Sequence, residues 1–201
     1  MRTLRVSATD LDAFRRYKAS EDVTLEHLLA QLRREMPPTP AMLAGSALHR
    51  ALELAPPGEF ESLEARGHRF TFPGNCDISL PDLREMKLAA DREVGGVLVT
   101  LVGQVDALHG RTVTDHKFTT RFDPERFLNS YQWRIYLDLF DADRFEWIVY
   151  EARETDERCF DIHQVHTLSA HRYPGMSADI ERELRGFVDL AKTHLMQPEA
   201  A

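Results

Sequence analysis

The chain has 201 residues, 43% of them hydrophobic, which suits one domain, or one domain with a helical attachment, and supplies a core. No run of about 18 apolar residues exists, and the start MRTLRVSATDLDAF lacks a signal peptide's apolar stretch, so a cytoplasmic protein free of membrane is expected. The net charge of −8 argues against a generally basic nucleic-acid binder, and the two cysteines, Cys76 and Cys159, support neither a disulfide framework nor a four-cysteine iron–sulfur cluster.

Residues SATDLDAFRRYK form the first expected helix, capped by Ser7 or Thr9, with Leu11 and Phe14 on one face. TLEHLLAQLRREM forms a second, with Leu25, Leu28, Leu29 and Leu32 as its apolar stripe, ended by MPPTP. Thr39 and Pro40 open a third, AMLAGSALHRALEL, which buries Ala44, Leu48, Ala51 and Leu52 and stops at Ala55 to Gly58. On that helix Gly45, His49 and Glu53 are spaced by four and share a second face. Residues 59–81 give no clear pattern beyond turns around Pro73-Gly74-Asn75.

Three strand-like runs follow: REMKLAADREV, VLVTLVGQVDALHG and RTVTDHKFTT. Gly95-Gly96 and His109-Gly110 are natural turns between them, which predicts an antiparallel meander. Asp123-Pro124-Glu125 starts a helix expected to continue through RFLNSYQWRIYLDLF. RFEWIVYEARE is then a strand, CFDIHQVHTL another at or near a sheet edge, and SADIERELRGFVDLAKTHL an amphipathic helix. Ile180, Leu184, Phe187, Val188, Ala191 and Leu195 form its inner face. The order predicts an α/β protein with a mixed central sheet flanked by helices. The expected division is a helical element over 1–38, a core over 39–152, and a strand and helix over 153–201.

The sharpest chemical signal is GQVDALHGRTVTDHKFTT. Asp106 is expected at the end of one strand and Asp115 at the end of the next, so that the turn brings the carboxylates together. Lys117 follows Asp115 by two and should project from the same strand face. Two carboxylates can hold Mg²⁺ or Mn²⁺, which activates water, while a lysine stabilises charge developing on a phosphate. An isolated Asp-x-Lys is more often a surface ion pair; the second aspartate gives it weight. Gly45 precedes His49 by four and leaves room for a backbone or phosphate beside the imidazole, which can complete a carboxylate metal site. Gln132 and Tyr136 share a helix face, and a glutamine in an apolar stripe needs partners. Between Arg111 and Arg134 five basic residues face three acidic ones, so the local balance is positive.

Five segments in order resemble the RecB-like branch of the PD-(D/E)XK nucleases, which includes phage-type exonucleases: SATDLDAF, GSALH, GQVDAL (with Gly103 and Asp106), DHK and QWRIY. The similarity spans about residues 7–150 and implies the restriction-endonuclease-like core. It implies that His49, Asp106 and Asp115 bind Mg²⁺ or Mn²⁺, with the His116 backbone carbonyl as a further ligand. Asp106, Asp115 and Lys117 would be catalytic, and Gly45, Gln132 and Tyr136 would support the site or touch DNA. Lacking cluster cysteines, the chain resembles the members without an iron–sulfur cluster. A recombination or helicase partner would be a separate protein, and the helices over 10–36 and 177–195 offer surface for substrate threading or a homo-oligomer. A non-catalytic DNA-binding or assembly subunit is the rival expectation, and a repair or defence endonuclease another. His163, His166 and His171 form a loose cluster that suits ordinary polar surface better than zinc. No Gly-rich phosphate loop or serine-hydrolase elbow is present.

Overall fold

The computed structural model describes residues 2–56, 58–74, 77–78 and 83–196. The chain runs β1 (Arg2–Ser7), α1 (Ala8–Ala19), α2 (Leu25–Leu32), α3 (Pro40–Leu54), β2 (Gly58–Glu59), β3 (Ser62–Ala65), β4 (His68–Thr71), β5 (Asp77–Ile78), β6 (Leu83–Val94), β7 (Val97–His109), β8 (Thr112–Thr119), α4 (Pro124–Leu128), α5 (Gln132–Leu139), β9 (Arg144–Asp156), β10 (Cys159–His171) and α6 (Met176–His194). Cys76 and part of the turn around Asn75 lie outside the described residues.

Local chemistry accounts for the helix starts. Ser7 and Asp10 form a reciprocal capping box on α1, Thr24 caps α2, and Thr39 with Pro40 opens α3. Thr9 is not the cap. β1 is an addition to the expected pattern: the six residues Arg2–Ser7, which end on that cap, pair in parallel with β7. The helix expected from Asp123 onward is two. It breaks at Asn129–Tyr131, where the Tyr131 backbone N–H donates to the Asp12 carboxylate instead of continuing the helical ladder. Asparagine and serine, poor helix formers, sit at the break.

β6, β7 and β8 form the expected antiparallel meander, although the second turn is Gly110-Arg111 rather than His109-Gly110. β8 and β9 then pair in parallel, and β9 and β10 antiparallel, so the sheet is mixed. β10 also takes β4 in parallel through Cys159–Asp161 and is an edge only beyond that stretch. β9 shows how the layers form. Phe145, Trp147 and Val149 enter a core shared with α1, α5 and α6, whereas Tyr150 and Ala152 enter a second core under α3 with Phe70 and Phe160. Side chains alternate across a strand, so one buried strand feeds both layers. α6 buries Ile180, Leu184, Phe187, Val188 and Ala191 as predicted, with Leu195 half-buried.

The feature that builds the site is a fork. β6 pairs with β7 along Val97–Leu108, which occupies one edge of β7. A strand has two edges, so β1 and β8 must share the other: β1 takes Val97–Val102, and β8 takes only Ala107–His109. Residues 103–106 lie in the gap between them.

A candidate active site at the fork

Asp106 and Asp115 both sit inside strands rather than at strand ends. Asp115 and Lys117 alternate with His116 and share the side covered by α5: the Gln132 amide donates to Asp115 Oδ1 at 3.2 Å, and Lys117 Nζ donates to the same oxygen at 2.9 Å. Asp106 takes its side-chain partner from α3, with His49 Nδ1 3.3 Å from its Oδ1. The β7–β8 register runs toward Asp106 opposite Asp115, and the ladder pairing of the two strands stops just before that pair. Asp106 Oδ2 accepts the His116 backbone N–H at 2.6 Å, a bond that replaces a strand ladder bond across the fork.

A cleft of about 880 Å³ opens beside the fork. His49, Asp106 and Lys117 line it, with Gly45 on its wall and Arg50, Arg66 and Arg126 around it. Asp115 lies behind Lys117, 2% exposed, and lines no described cavity. A Cβ on Gly45 would meet Phe118 only at 3.8 Å, so the protein's own packing does not require that glycine, and the space stays open to the cleft. Gln132 and Tyr136 are joined by a 3.3 Å hydrogen bond from the amide to the phenol oxygen, and Tyr136 is buried. The His116 side chain points the other way, into the second core, where Tyr150 Oη meets its Nδ1 at 3.2 Å. Burial pushes that imidazole down to about 4, so it is neutral.

Charge at the fork is finely opposed. Burial works against ionised Asp106, but His49 and Lys117 outweigh it and hold its pKa below the usual carboxylate range. Burial likewise disfavours charged His49, yet the Asp106 contact raises its pKa. Asp115 is pushed up to about 6 by burial, with Lys117 opposing and the Asp106 charge adding. Burial and the Asp115 charge push the Tyr136 phenol up to about 12. Two carboxylates of unlike environment, one lysine and one imidazole therefore share one low-dielectric corner.

The donor set fits a hard divalent cation. Asp115 Oδ2 is buried and has no aligned hydrogen-bond donor, although Lys117 Nζ lies 2.7 Å away. Such an oxygen is costly to leave bare and is suited to a cation. Among the described residues, no three His, Cys, Asp or Glu side chains already converge as a closed cage. His49 and Lys117 are instead paired with the carboxylates that a cation would need, so cation and internal ion pairs compete.

Two residues gain a role that sequence spacing did not reveal. Gly103 lies in the fork, and a Cβ there would sit 2.9 Å from Tyr136 and Leu139 side-chain carbons. Gly103→Ala is expected to destabilise the protein by about 1–3 kcal/mol through overpacking and to displace Tyr136; denaturant midpoints of the two proteins check this. Glu85 occupies the left-handed region at φ 55°, at the position where the β6–β7 pairing skips Asp106, and Gln104 donates to it. Burial and the Asp106 charge raise its pKa, and Gln104 opposes them. The β6 run carries no signal for that turn.

The histidines of β10 do not gather. His166 pairs with Glu151 at 2.8 Å and stacks on Phe122 with ring centroids 3.7 Å apart, and no three-residue metal group includes it among the described residues.

The chain aligns over 94% of its length with an alkaline exonuclease from Laribacter hongkongensis, LHK-Exo, covering 88% of that chain, with a TM-score of 0.50 and 13% identity. A structure of the same enzyme in complex with dAMP aligns equally well. The chain shares the fold of an alkaline exonuclease. The protein designated SSO0001 aligns over 96% of this chain and 78% of its own, with a TM-score of 0.54 and 16% identity. No family model and no curated protein sequence matches. No helix among the described residues is long and apolar enough to cross a membrane.

Proposed function

We propose that the chain is a Mg²⁺- or Mn²⁺-dependent DNA exonuclease of the RecB-like PD-(D/E)XK type, acting in DNA recombination or repair. The observation that carries this is the meeting of His49, Asp106, Asp115 and Lys117 at one fork beside an open cleft. The shared fold with an alkaline exonuclease supports it.

His49, Asp106 and Asp115, with the His116 backbone carbonyl, would hold the cation. When bound, such a cation polarises a phosphoryl oxygen and lowers the pKa of coordinated water. Lys117, at the cleft wall, carries a permanent positive charge, because the Asp115 and Asp106 charges outweigh the burial that disfavours it. It stabilises negative charge building on the phosphate. Gln132 fixes the rotamer of Asp115 and is itself oriented by Tyr136. Arg50, Arg66 and Arg126 line the path for the strand's backbone, which reconciles an acidic chain with a polyanionic substrate.

Gln132→Leu, which keeps the volume but removes the amide, is expected to lower kcat by roughly 10–100-fold with little change in fold stability. Steady-state cleavage together with a thermal melt checks both parts. The reading itself is tested with end-labelled linear duplex and single-stranded DNA in Mg²⁺, Mn²⁺ and EDTA, beside circular DNA. Metal-dependent loss of linear but not circular DNA supports an exonuclease, and cutting of both supports an endonuclease. Folded protein that binds DNA yet cuts neither DNA nor RNA leaves a non-catalytic subunit.

A further inference from the structure

A second cavity of about 200 Å³ lies between α1, the α4–α5 junction and β9, and it shares Lys117 and Arg126 with the cleft. Two buried donors that line it have no hydrogen-bond partner among the described residues: Ser130 Oγ and Trp147 Nε1. The contrast with the other tryptophan is informative, since Trp133 Nε1 donates to the Leu128 carbonyl at 3.1 Å. Trp147 is fully buried, so its indole N–H has no compensating bulk water. An unmet buried donor costs about 1–3 kcal/mol, and two beside one cavity call for a common acceptor.

The charges around the cavity define that acceptor. Arg15, Arg16 and Arg126 line it, and their guanidiniums make no hydrogen bond or ion pair among the described residues. Lys117, paired with Asp115, also reaches the lining. The single acid in the lining, Asp12, accepts the Tyr131 backbone N–H and helps hold the α4–α5 break open. Three arginines and two neutral donors, with Asp12 held by Tyr131 and Lys117 paired to Asp115, select a multidentate anion rather than an apolar ligand or a lone water.

We propose that this cavity binds a phosphate group of the nucleic-acid strand next to the one held at the fork. It rests on the nuclease reading only for the source of the phosphate; the anion chemistry stands on the cavity itself. The Arg15 and Arg16 guanidiniums give charge, while Ser130 Oγ and Trp147 Nε1 give direction. Both strand termini and internal linkages present such oxygens.

The test is a titration of ¹⁵N-labelled protein in EDTA, read on its two indole N–H signals, assigned with Trp133→Phe. The probes are inorganic phosphate and single-stranded oligonucleotides with 5′-phosphate, 3′-phosphate or hydroxyl ends. The Trp147 signal is expected to shift and saturate while the Trp133 signal stays as an internal reference. Arg15→Gln/Arg16→Gln should weaken binding tenfold or more, and Ser130→Ala several-fold with no loss of melting temperature. Tighter binding of one phosphorylated end identifies a terminal phosphate, and equal binding of hydroxyl-ended strands an internal one. A stationary Trp147 signal, or affinity unchanged in the arginine variant, overturns the proposal. Because no metal or cleavage is involved, a failure here is distinct from a failure of the nuclease reading.

Discussion

Asp115→Ala is expected to abolish cleavage and to remove cation binding while leaving the fold intact. The physical asymmetry lies in where the carboxylate sits. It is 2% exposed, one oxygen lacks an aligned donor, and burial drives its pKa up to about 6. Burial of the carboxylate is a cost to the apo fold, but its removal also strands the Lys117 ammonium and the Gln132 amide, so the variant's own metal-free melt is the reference for its metal response. A cation at about a hundredfold excess over its Kd stabilises wild type by about 2.7 kcal/mol. For a chain of this size that raises Tm by roughly 5–10 °C. The variant should show almost no such rise, and its cleavage rate should fall on the order of 10⁴-fold. Thermal melts across a Mn²⁺ series, with cleavage assays beside them, read both effects. An unchanged metal-induced rise in the variant would remove Asp115 from the cation site.

Lys117→Met separates the two roles that the fork combines. Lys117 touches both oxygens of Asp115, at 2.9 and 2.7 Å, so in the resting protein it holds the carboxylate a cation would use. Methionine keeps the aliphatic volume and loses the charge. Cation affinity is therefore expected to rise, because a competitor has gone and two facing carboxylates remain. Cleavage is expected to fall by roughly 10²–10³-fold, the cost of losing one positioned electrostatic stabiliser. Calorimetric Mn²⁺ titration and single-turnover cleavage would show this opposite movement. If both binding and cleavage fell together, Lys117 would be a support for the ligands and not a stabiliser of the reaction.

The two variants, with Gln132→Leu, also distinguish an enzyme from a subunit that only binds DNA. A binding subunit has no reason to bury Asp115 beneath a lysine or to seat a glutamine against the same carboxylate. A DNA-binding surface needs only the arginines. The fork concentrates strain and opposed charge at one place, which is where a protein retains features that do not help it fold.

Much of the architecture follows from short stretches of sequence. Ser7 with Asp10, Thr24, Thr39 with Pro40, and Asp123 with Pro124 begin four helices as their local chemistry dictates. Gly95 and Gly96, both at positive φ, turn β6 into β7. The spacing of Asp115 and Lys117 put both side chains on one strand face, and the four-residue spacing of Gln132 and Tyr136 let them bond. Caps, turns and side-chain periodicity act within a few residues, so they can be read without the rest of the chain.

Tertiary structure decided the rest, because the decisive interactions join distant residues. The helix after Asp123 breaks where Asp12, more than a hundred residues earlier, captures the Tyr131 N–H. β1 has no pattern of its own strong enough to separate it from the helix it precedes, yet it takes half of one β7 edge. That competition forces β8 away from β7 and creates the gap in which Asp106 meets the His116 amide. The sequence by itself determined the local order and spacing of the residues proposed to carry the chemistry. Only the fold decided that β8 would part from β7 beside Asp106 and Asp115, because two strands far apart in sequence cannot both pair along the whole of a single edge.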